Sequence, residues 1–120
     1  MPDWRAIEAS FLRQPKANRL GELAASLARI KSRCQNPANQ GLVAAFIEES
    51  LFFVGLIIPD TDTEKAGELN QLQSQLREWQ QDWSNIWASP TERGNIATVA
   101  SNWSEQVLSM SGLLSESMTA

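Results

Sequence analysis

Apolar residues recur along most of this chain at alternating intervals of three and four. From Leu20 the series runs Leu20, Leu23, Leu27, Ile30 and Cys34, which places one apolar face on a helix over residues 16–35. It stops at CQNPANQ, where Asn36 suits an N-cap and Pro37 the first turn of the next helix. That helix, 37–57, presents Val43, Phe46, Ile47, Ser50, Phe53, Val54 and Ile57 on one broad arc and ends before Pro59. In the loop IPDTDTE, Thr61 and Glu64 have the spacing of a capping box, in which hydroxyl and carboxylate each satisfy a backbone N–H. A long helix over 62–88 follows, with Leu69, Leu72, Leu76, Trp79, Trp83 and Ile86 on one seam. Ser89, Pro90 and Glu92 repeat the start signal. The last helix, 90–115, carries Ile96, Val99, Ala100, Trp103, Val107, Met110 and Leu114 on one face. A short helix from Asp3 to Leu12 precedes the others, with Trp4, Ile7 and Phe11 on one side and Pro15 marking its end.

Strand signals are nearly absent, so the expected class is all-α. Four long amphipathic helices joined by loops of a few residues imply antiparallel neighbours. The architecture expected is an up-down-up-down antiparallel four-helix bundle with an extra short N-terminal helix over 1–14. One domain spans 1–120, and the tail 115–120 is expected to fray.

Two patterns within these helices bear on function. Trp79, Trp83 and Trp87 drift by only about 40° per step, so all three fall on the inward seam and are expected in the core. Small residues at the facing helix starts, Ala38, Gly41, Ala44, Gly94 and Ala97, are expected to make room for them. Three indoles beside glycines also form a candidate pocket for a flat apolar ligand, with Gln40 and Gln80 as candidate partners for the indole N–H groups. The second pattern is a surplus apolar face. Opposite its main arc, the 37–57 helix lines up Ala45, Phe52 and Leu56 between Glu48 and Glu49. Either the N-terminal helix covers this face with Trp4, Ile7 and Phe11, or the face is a candidate interface for a second copy or another protein.

Composition removes whole classes of chemistry. The chain has no histidine, which excludes His-based triads, HExxH zinc sites and Glu-x-x-His di-iron pairs. A lone cysteine, Cys34, precludes an internal disulfide and a CxxC motif; it closes an apolar seam and is expected to be a small buried hydrophobe. Glu48 and Glu49 point about 100° apart on a helix, so they do not converge on one proton, and a solvated face is expected. Ser50 lies on a buried arc, where a hydroxyl bonded to its own helix is the ordinary arrangement. No catalytic residue, metal ligand or cofactor site is expected.

The net charge of −4 is uneven. Residues 1–35 carry seven bases and three acids, the rest three bases and eleven acids. A basic helix face beside acidic helices accounts for this, or a docking face for an acidic partner. Nucleic acid is not expected, because the basic segment has no aromatic interleaved between Lys16 and Arg33. The N-terminus lacks the pattern of a secretory signal, and Leu51–Ile58 is far shorter than a bilayer span, so a soluble cytoplasmic protein without membrane contact is expected.

The segments NRLGELAASLARI, FIEESLFFVGLIIPD, LREWQQDWSNIWASP and SMSGLL resemble a family of small uncharacterised all-helical proteins of cyanobacteria. That resemblance implies a cytoplasmic helical protein and assigns no site residue. The function expected from the residues is a non-enzymatic one exercised through protein contacts, with a carrier of an apolar or aromatic small molecule at the Trp-rich end as the alternative.

Overall fold

The computed structural model of the chain describes residues 3–112. Six α-helices appear among them and no strand: α1 (Trp4–Leu12), α2 (Lys16–Arg33), α3 (Gln40–Ile57), α4 (Thr63–Gln81), α5 (Trp83–Ala88) and α6 (Pro90–Ser111). Short 3-10 turns, Pro37–Asn39 and Ile58–Asp60, flank α3. The all-α expectation therefore holds.

The helix starts follow from side chains that satisfy first-turn N–H groups. Asp3 accepts from the Ala6 amide at 3.2 Å, and Ser89 accepts from Glu92 at 3.3 Å ahead of Pro90. Asn36 accepts from Ala38 and so opens the 3-10 turn, with α3 proper beginning at Gln40. One start is corrected. The cap of α4 is Asp62, which accepts from Lys65 at 3.0 Å, whereas the Thr61 hydroxyl donates to the Ile57 carbonyl at 2.7 Å. A carboxylate at an N-cap also meets the positive end of the helix dipole, an advantage the hydroxyl lacks.

Two further boundaries differ from the sequence expectation. The 62–88 helix is broken at Asp82 (φ −120°, ψ 27°), where α4 stops and α5 starts afresh. At the other end, α6 stops at Ser111 because Gly112 takes the left-handed conformation (φ 78°) common at helix C-termini. Leu114, the expected helix end at 115 and the tail 115–120 lie outside the described residues.

α2 is the hub and packs most extensively against α6 and α3, while α4 packs on α3. The contacts fix pairwise directions. Ser26 and Arg29 of α2 meet Phe46, Glu49 and Ser50 of α3, whereas Arg19 reaches Asp60 beyond the far end of α3, so α2 and α3 run antiparallel. Ser104 of α6 donates to the Ala24 carbonyl at 2.7 Å. The core between these helices is built from Leu23, Leu27, Ile30, Val43, Ile47, Val54, Leu69, Leu72, Leu76, Ile96 and Val107, all buried. Within it, the Ser50 hydroxyl donates to Ser26 Oγ at 2.9 Å across the α2–α3 contact. Both serines are buried, so the partner of Ser50 is a neighbouring helix and not its own backbone.

Candidate functional site

The outer face of α3 starts from residues whose apolar character its inner face does not need. The inner arc buries Val43, Ile47, Ser50, Phe53, Val54 and Ile57. On the outside, Ala45 is exposed and Phe52 and Leu56 are half-buried. α1 folds back over the C-terminal part of this face. Its Trp4 ring lies 4.6 Å from that of Phe52, and Phe11, which is 1% exposed, stacks on Phe53 at 4.5 Å and 5°. Trp4 thus covers Phe52 as the covering alternative required, while Phe11 goes to Phe53 on the edge of the inner arc.

The far end of α1 is tied down by Arg19. Its guanidinium donates to the carbonyls of Leu12 (3.0 Å) and Gln14 (2.9 Å) and pairs with Asp60 at 3.1 Å. One side chain thereby joins the end of α1, the start of α2 and the turn after α3. Between its two ends α1 leaves clefts on both flanks. One of about 440 Å³ lies towards α2, with Ile7, Glu22, Arg29 and Glu49 in its lining; another of about 470 Å³ lies towards α4, between Trp4, Glu48 and Arg77. Glu49 is not simply solvated, since its buried Oε1 lacks a hydrogen bond and faces Arg29 at 3.5 Å. Two of the seven N-terminal bases therefore find acidic partners on or just after α3.

The N-terminal half of the outer face has no such cover. Leu42 is 43% exposed there, beside exposed Gly41 and Ala45. Leu42 is absent from the face expected from the sequence, because it falls just beyond Glu49, at the edge of that face and one turn from Ala45. The stretch Pro37–Asp60 is also long and apolar enough to cross a membrane by length and composition, which the shorter Leu51–Ile58 window did not reveal. Core helices of packed proteins pass the same test, and here α3 sits among α1, α2 and α4.

The tryptophan stripe is divided by the break at Asp82. Trp79 on α4 and Trp87 on α5 are buried, whereas Trp83, expected in the core, is only half-buried. The Trp83 and Trp87 rings lie 5.2 Å apart. Trp87 Nε1 donates to the Pro37 carbonyl at 2.9 Å and Trp83 Nε1 to the Gln40 carbonyl at 3.2 Å. Backbone carbonyls at the α2–α3 turn, not glutamine side chains, are thus the partners of these two indoles. The facing glycines do not make room for them either: Gly41 and Gly94 are exposed, and a Cβ added at either would meet nothing within 4 Å. Trp79, Trp83 and Trp87 line none of the four main clefts among the described residues.

The chain matches no family model, no curated protein and no solved structure.

Proposed function

We propose that this chain acts through protein contacts and not by catalysis, as a cytoplasmic up-down-up-down four-helix bundle whose contact surface is the outer face of α3. The pairwise antiparallel contacts of α2 with α3 and the short connections at Ser89 and Pro37 support the bundle reading. Membership of the cyanobacterial family that the sequence resembles is part of the same proposal, and neither nucleic acid nor membrane is a partner in it.

The observation that carries the contact reading is the bare half of α3, where Leu42 at 43% exposure lies one turn from exposed Ala45, at the edge of the face that holds Phe52 and Leu56. A second copy of the chain is the partner favoured, because a twofold interface reuses one patch on both subunits, so a single bare strip is sufficient. Sedimentation of wild type and of Leu42→Glu/Ala45→Glu over a range of concentrations tests it. A wild-type dimer that becomes a folded monomer in the double variant is the expected result. A wild type that is monomeric throughout removes self-association, and a dimer that survives the substitutions places the interface elsewhere. The alternative of an apolar-ligand carrier gains no support from a cleft among the three indoles.

A further inference from the structure

The end of α2 and the beginning of α6 lie side by side at the end of the molecule that holds Trp87. Along α6, Gly94, Ala97 and Ser101 recur at intervals of three and four and so share a face. Side chains this small leave a hollow against Lys31 of α2 and Cys34 and Gln35 just beyond its end, and the result is a cleft of about 650 Å³. That volume falls in the range of roughly 300–1,000 Å³ typical of small-molecule sites.

Its charge sets it apart from the rest of an acidic protein. Lys31 and Arg93 line it, and no carboxylate does. Neither cation forms an ion pair among the described residues, where the pairs found are Arg19–Asp60 and Arg29–Glu49. Arg93 is nonetheless held in place. Its Nη1 donates to the Trp87 carbonyl at 2.6 Å, and its guanidinium carbon lies 5.6 Å from the centroid of the Trp87 ring. That bond occupies one of five guanidinium N–H donors, and the others have no hydrogen-bond acceptor among the described residues. The buried Cys34 thiol supplies no counter-charge, since burial pushes its pKa up to about 11 in spite of the downward pull of Arg93.

A half-buried guanidinium, fixed by a carbonyl and an aromatic face and lining the same cleft as a second cation, has donors left over for an oxyanion. We propose that this cleft binds a small molecule carrying a phosphate or carboxylate group, which accepts from Arg93 and Lys31 while its body lies over Ala97 in the space Gly94 leaves open. The site is separate from the outer face of α3 and stands whether or not that face meets a partner.

Titration of the intact protein with inorganic phosphate and, separately, with succinate tests the proposal, by calorimetry at low ionic strength and by tryptophan fluorescence, for which Trp87 is the adjacent reporter. Saturable binding of at least one probe is expected, and which of the two binds more tightly separates the phosphate from the carboxylate class. Lys31→Gln removes an exposed cation, and Gly94→Leu fills the cleft with a good helix former, so both variants keep the Trp87 contacts of Arg93. Each should weaken binding by about tenfold or more, with circular dichroism confirming the fold. Arg93→Lys retains the charge but loses the fork, and should weaken a phosphate or carboxylate by a similar factor. Absence of saturation by either probe up to about 10 mM overturns the proposal. So does binding that both Lys31→Gln and Gly94→Leu leave intact, which would put the anion elsewhere on the molecule.

Discussion

Replacing Phe11 with alanine isolates what holds α1 against the other helices. Phe11 is 1% exposed and stacked on Phe53 at 4.5 Å, and truncating a fully buried phenylalanine in a rigid core costs about 3–5 kcal/mol. α1 has only nine residues, however, with clefts on both its flanks, and we expect it to lift away without unravelling α2–α6. The effect is therefore bounded by the docking free energy of α1, to which burial of the ring contributes about 1.5–3 kcal/mol and the ring pair about 0.5–1.5 kcal/mol. Removing about 2–4 kcal/mol of docking should speed amide exchange in the second half of α1 by roughly 30- to 1,000-fold, while amides in the middle of α2 and α6 change far less. Hydrogen exchange read by mass spectrometry on peptides from each helix measures this directly. Equal acceleration in α1, α2 and α6 would refute local docking, because α1 would then be an integral part of one cooperative unit. Unchanged exchange in α1 would refute the importance of the Phe11–Phe53 stack.

Two other substitutions separate the tryptophans. Trp79→Ala should cost about 3–5 kcal/mol and Trp83→Ala clearly less, since Trp83 is half-buried; chemical denaturation giving the opposite order would contradict the division of the stripe at Asp82. Cys34 predicts a pH dependence on the alkaline side. Burial, opposed by the smaller effect of Arg93, raises its pKa from 9.0 to about 11 on folding, so above the lower value the unfolded chain releases a proton that the folded chain keeps. The stability held by the neutral thiol is fully present below pH 9.0 and is lost as pH rises towards about 11. Cys34→Ala should flatten that part of a melting-temperature profile, and a profile identical to wild type would show that folding does not shift the thiol's pKa.

The elements legible in the sequence were those fixed by local chemistry. Asp3, Ser89 and Pro90 act within one turn of their own position, and α1 and α6 start where they signal; Asn36 caps only a 3-10 turn, and α3 itself begins later than the sequence suggests, at Gln40. The break at Asp82 was not legible, because the sequence spacing of Trp79, Trp83 and Trp87 runs across it without interruption. Thr61 and Asp62 are both good caps, and only the Ile57 carbonyl, four residues before Thr61, decides between them. Gly112 did carry a readable stop signal, which the continuing apolar pattern towards Leu114 obscured. The cleft between Lys31 and Arg93 had no sequence signature at all: its walls lie about 60 residues apart in the chain and meet only through helix packing. For the surplus face of α3, periodicity identified the face but not its cover, since whether Trp4 reaches Phe52 depends on the path of the chain through Pro15 and Arg19.

The order of elements also governs how α3 is handled as the chain is made. Synthesis delivers α1 and α2 ahead of α3, so the partners of Phe53 and Ser50, namely Phe11 and Ser26, have already left the ribosome when α3 emerges. α4, α5 and α6 come later. The stretch most suited by composition to a bilayer is thus met, at the moment of its exposure, by two helices of its own chain that need no diffusional search to find it.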